Sequence, residues 1–211
     1  MSFINWETTF DFTLPPPLPP IELDIPTYGL NGGAGYTAGE FTNVAPAITD
    51  TPVGVDALDL LFFSHDVASG QATALINPFD PSTVPLSLAA QAQADYQLLQ
   101  GIEQLNGQAL RDPEASLYAG GAELATIALL ELNPVGVDLT PKELKHALKD
   151  AVHNIESGLK HLDASELQQV QGFVADVSTA LDAIHLQPSA ILQAADIHLP
   201  KLHHHTVDLL V

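Results

Sequence analysis

Thr140-Pro141-Lys142-Glu143 opens the stretch whose reading decides the fold, and Leu144, Leu148, Ala151, Ile155, Leu159 and Leu162 follow it at spacings of three and four. A threonine followed three residues later by glutamate is a capping box. Proline at the first helical position removes only an N–H that has no partner there anyway. The apolar spacing then places six side chains along one helical face. Asp163 and Glu166 repeat the cap logic, and Leu167, Val170, Val174, Val177, Leu181 and Ile184 continue at near-heptad spacing. Residues 135–187 therefore read as an antiparallel helical hairpin.

Working outward toward the N-terminus, an Ala- and Leu-rich helix is predicted from about Pro113 to Leu132 and ends at Asn133-Pro134. Gly120 and Gly121 either kink it or admit a close neighbour. A second helix is predicted from about Leu86 to Leu105, after a polar, proline-punctuated link over 77–85. A third begins at Asp56, an N-cap residue, and carries Leu58, Leu61, Phe62 and His65 at helical spacing as far as about residue 69, stopping near Gly70. Residues 27–55 are rich in Gly, Thr, Asn and Pro without periodicity and read as a long loop.

Residues 1–26, with Pro15-Pro16-Pro17 and Pro19-Pro20, read as a polyproline-like extended arm anchored by Trp6, Phe10 and Phe12. The fold class is thus mainly α: a helical domain over 27–134 with a long Pro/Gly-rich N-terminal loop, a hairpin over 135–187, and a tail over 188–211. Ile191, Leu192, Ile197, Leu199 and Leu209 suit that tail to packing or to oligomer contact.

Charge narrows the function. There are 26 acidic residues against 6 Lys and Arg, for a formal charge of −20, and the first 110 residues carry twelve acids and no Lys or Arg. Such a surface repels phosphate backbones, which argues against nucleic-acid binding, and it makes cations the natural counterpart. The absence of cysteine rules out disulfides, thiolate metal sites and a thiol nucleophile. No run of roughly 18 apolar residues suggests a transmembrane segment. The opening residues lack the basic and apolar regions of an ordinary secretory signal, so the compartment stays open, including export by another route.

Chemistry concentrates in two places. Tyr28-Gly29-Leu30-Asn31-Gly32-Gly33-Ala34-Gly35-Tyr36 is a glycine-rich run whose backbone groups can converge on an ion or phosphate. No Gly-Lys-Ser/Thr follows, which excludes a nucleotide P-loop. Further on, Pro52-Val53-Gly54-Val55-Asp56 leads into the helix that carries His65-Asp66. A neutral imidazole can take a proton from water, and a neighbouring carboxylate on another side of the helix can hold a hard cation. Ser64, His65 and Asp66 are sequence neighbours whose side chains diverge, so they cannot form a nucleophilic triad.

This order of glycine loop, helix start and His-Asp pair, with the later Ala94-Asp95-Tyr96, resembles the calcium-dependent phospholipase A2 superfamily, especially its cysteine-poor microbial and parvoviral branches. The resemblance spans roughly residues 28–100. It implies a calcium-dependent hydrolase of phospholipid or related lipid esters, or an inactive relative of one. In that reading His65 is the general base, Asp95 the carboxylate that orients it, and Asp66 a calcium ligand. Carbonyls of Asn31, Gly33 and Gly35 complete the ion site, and the Gly33 amide serves as an oxyanion donor. Ser69 stands where the family commonly has tyrosine, four residues after the histidine.

The alternative from the residues alone is a non-enzymatic, acidic assembly protein, in which the proline arm and the hairpin make contacts with further copies or with a protein partner. His146 and His153 lie seven apart on one helical face, and His198 with His203-His204-His205 forms a second group. Either set could serve a transition metal or be solvated, pH-sensitive histidines.

Overall fold

A computed structural model describes residues 4–13, 22–33, 36–41, 45–106, 110 and 112–162. The described part is mainly helical, with α1 (Ala57–Thr73), α2 (Val84–Asn106), α3 (Pro113–Leu132) and α4 (Pro141–Leu159) in succession. The starts of α1, α3 and α4 follow from a side chain that satisfies the free N–H groups of a first turn. Asp56 accepts from the Asp59 amide at 2.8 Å, Asp112 caps α3 through the Glu114 and Ala115 amides, and Thr140 with Glu143 forms the reciprocal box at the head of α4.

The α3 boundaries fall where the sequence predicts, and α2 extends one or two residues beyond each predicted end. α1 instead runs through Gly70 to Thr73. Glycine sits there because a side chain would meet Ala45: an added Cβ would lie 2.3 Å from the Ala45 Cβ. The glycine serves close packing and does not end the helix.

α4 packs along α3 and also touches α2. Gly120 and Gly158 make the approach feasible, since a Cβ at Gly120 would meet the Ala151 carbonyl at 2.6 Å and one at Gly158 would meet Leu117 at 2.5 Å. Leu148, Ala151 and Ile155 of the predicted stripe are buried in this seam, each large aliphatic side chain contributing roughly 1.5–3 kcal/mol by leaving water. Within the described residues the α4 stripe is therefore covered by α3 and α2. The second arm of the predicted hairpin, the tail and the histidines at 198 and 203–205 lie outside those residues. α3 is the one described helix long and apolar enough, by length and composition, to cross a membrane. Here it is a core helix with Ser116, Glu123 and Thr126 buried along it.

Within the expected N-terminal arm the described segments are paired strands, while the prolines at 15–17 and 19–20 lie outside the described residues. β1 (Ile4–Thr13) pairs antiparallel with β2 (Glu22–Tyr28), from Thr13 opposite Glu22 to Ile4 opposite Tyr28, with an irregularity between Asn5 and Thr9. Alternation of Ile4, Trp6, Phe10 and Phe12 with polar residues carried that signal, and period-two patterning overrode the neighbouring prolines. Within the expected loop, β3 (Tyr36–Thr37) pairs with β4 (Glu40–Phe41). Tyr28, fully buried, stacks on Tyr118 of α3 at 5.0 Å and meets Phe62 of α1 edge-on, so the end of β2 is tied to two helices where the glycine-rich turn begins.

Candidate functional site

The glycine-rich turn is held against α1 by one carboxylate. Asp59 is fully buried and accepts backbone N–H groups from Leu30 at 3.0 Å, Asn31 at 2.7 Å and Val55 at 2.8 Å. Such charge-assisted bonds are among the stronger ones a protein makes. Gly29 permits the docking twice over: its φ is +58°, and an added Cβ would lie 2.5 Å from the Asp59 carboxyl carbon. Asp59 lies within the Val-Gly-Val-Asp-Ala-Leu-Asp stretch at the head of the helix, but its role was not foreseen. An aspartate in a first turn usually signals only a favourable helix dipole.

The Asn31 side chain points inward, donating to the Val53 carbonyl at 2.6 Å and accepting from the Ala38 amide at 3.2 Å. Only its backbone is left to serve a ligand. Gly33, at φ +142°, accepts the Tyr36 amide at 3.1 Å. Beyond this turn Thr37 donates its hydroxyl to the Asp66 carboxylate at 2.5 Å. Asp66 is thus brought to the strand that follows the glycine turn, and burial pushes its carboxyl up to about 6. Gly35 lies outside the described residues.

His65 and Asp95 come together across the α1–α2 contact. His65 Nε2 lies 2.7 Å from Asp95 Oδ1, with Asp95 buried and the imidazole one-fifth exposed. A carboxylate on Nε2 fixes the tautomer with that proton in place and leaves Nδ1 as the basic nitrogen. Gln91, one turn before Asp95, donates to Asp95 Oδ1 at 3.2 Å and to Ser69 Oγ at 2.9 Å, while Ser69 Oγ lies 3.4 Å from His65 Nε2. Gln91 thus supports Asp95 and links it to Ser69 beside the imidazole. Gln91 was missed because nothing in its sequence context distinguishes it from the other glutamines of α2.

Calcium favours hard oxygen ligands. Asp66 and the backbone carbonyls of the 31–33 turn are of that kind, and the Thr37 contact ties Asp66 to β3, the strand after that turn. The donor chemistry fits the ion. No protein-family model, curated protein or solved structure matches this chain.

Proposed function

We propose that this protein is a hydrolase that activates water with a histidine–carboxylate dyad. More particularly, we read it as a phospholipase A2-like enzyme acting on phospholipid or related lipid esters with calcium. The observation that carries this reading is the 2.7 Å contact between His65 Nε2 and Asp95 on a separate helix, with a solvent-reachable imidazole. Resemblance of motifs over 28–100 anticipated that pairing, and sequence distance alone does not produce it.

In this reaction His65 Nδ1 takes a proton from water as the oxygen attacks the ester carbonyl carbon. Collapse of the tetrahedral intermediate breaks the bond to the alcohol oxygen, and the imidazolium returns the proton to that leaving oxygen. Asp95 steadies the imidazolium through Nε2, and Gln91 with Ser69 steadies Asp95. Asp66 and the carbonyls of the 31–33 turn would hold the calcium, whose positive charge acts on the carbonyl and phosphate oxygens when bound.

The test is release of fatty acid from zwitterionic phospholipid vesicles with calcium or with chelator. Release should require calcium and fall on the order of a hundred- to ten-thousand-fold in His65→Gln. Absence of release at millimolar calcium, or equal release by His65→Gln, would refute the proposal.

A further inference from the structure

On the opposite side of α2 from this dyad's partner helix, a second constellation is built by elements that the proposed chemistry does not use. Glu103 of α2 and His146 and Asp150 of α4 each offer one donor atom, the three atoms lying within 4.8 Å of one another. His146 and Asp150 are one helical turn apart and share a face, which is the spacing that lets two side chains of a helix grip one ion. Glu103 comes from a different helix, so the convergence depends on how α2 and α4 pack.

The His146 Nδ1 to Asp150 Oδ1 separation is 3.7 Å. That is too long for a hydrogen bond and near the distance between two donors on a shared ion, since ligands about 2.1 Å from zinc at a tetrahedral angle stand roughly 3.4 Å apart. Besides His146, the charged groups that act on Glu103 are the carboxylates of Asp150 and Glu143. Glu143 is engaged elsewhere, accepting from Tyr96 at 3.0 Å and capping Thr140. The two carboxylates of Glu103 and Asp150 are like charges that a divalent ion would offset.

We propose that Glu103, His146 and Asp150 form a binding site for a first-row divalent transition ion, zinc above all. One imidazole nitrogen and two carboxylate oxygens suit zinc, cobalt or manganese, whereas calcium favours an all-oxygen set. His146 is about two-thirds exposed, so water reaches the remaining coordination positions. The ion would clamp the C-terminal half of α2 to α4. It is separate from the calcium expected beside Asp66 and does not depend on the hydrolase reading.

The test uses the full chain, stripped with chelator, in a background with His198, His203, His204 and His205 changed to alanine so that this C-terminal group contributes nothing. Zinc chloride is titrated by calorimetry, and cobalt chloride provides visible absorption as a readout of coordination. One zinc should bind per chain in the presence of excess calcium. Its affinity should fall at least tenfold in His146→Ala and in Glu103→Gln and stay within twofold in His153→Ala, with circular dichroism unchanged by these surface substitutions. Zinc binding that vanishes in the C-terminal background, or that is indifferent to His146→Ala and Glu103→Gln, would overturn the proposal.

Discussion

Replacing Glu123 with glutamine should change how this protein's stability depends on pH. Glu123 is fully buried between α2, α3 and α4, where the Asn106 amide donates to one carboxyl oxygen at 3.1 Å and the Asn154 amide to the other at 2.9 Å. Asn154 also donates to Asn106 at 2.8 Å, closing the network. Burial outweighs these bonds and pushes the Glu123 carboxyl up to about 8 from 4.5. A raised acid favours the folded state most below the unfolded pKa, and that contribution is lost as pH rises toward the folded value. At 1.36 kcal/mol for each pH unit, the wild-type chain loses about 3.5 kcal/mol from this group between pH 5 and pH 8.

Glutamine does not titrate, so this loss should be absent from the variant. The substitution also turns one amide donor toward another and gives up about 1 kcal/mol at every pH. Glu123→Gln should therefore be slightly less stable than wild type at pH 5 and more stable at pH 8, by roughly 2 kcal/mol. Urea unfolding followed by circular dichroism at intervals from pH 5 to pH 8 measures the difference directly. At a urea dependence of about 2–3 kcal/mol per molar, the gap between the two midpoints should move by about 1 M across the range. Parallel midpoints for the two proteins over the whole range would refute the reasoning.

Asp59→Asn should destabilise the chain by about 3 kcal/mol, because an NH2 group would face backbone amides that now donate to a carboxylate, and calcium-dependent turnover should fall with it. Thermal unfolding and an ester assay measure the two effects. Gln91→Leu should lower kcat by about tenfold with little change in unfolding temperature, since it removes the amide that steadies Asp95 and Ser69; steady-state kinetics separate kcat from KM. Calcium affinity should rise with pH through about 6, where Asp66 ionises, and lose that dependence in Asp66→Asn, as calorimetry at several pH values would record.

How much was readable in advance differs from one element to the next. The caps of α1 and α4 were, because capping is an interaction between residues two or three apart. The β1–β2 pairing was not, although Ile4, Trp6, Phe10 and Phe12 alternate, since the prolines nearby argued for an unpaired arm. Gly70 looked like a helix end and is a packing contact with Ala45, a residue twenty-five positions earlier. For the candidate site, His65, Asp66 and Asp95 were singled out from motif order, whereas Asp59 and Gln91 were not; His146 was noted with His153, but not the carboxylates of Glu103 and Asp150 that lie beside it.

By itself, then, the sequence determined the helical character, the acidic balance and the caps, which follow from propensity, charge and hydrogen bonds within a turn or two of chain. Tertiary structure decided which carboxylate holds the glycine-rich turn, which carboxylate reaches His65, and that Glu123 is buried among amides. Those outcomes depend on which faces of α1, α2, α3 and α4 meet. The meeting is set by small residues such as Gly120 and Gly158, whose value appears only once a second helix lies against them.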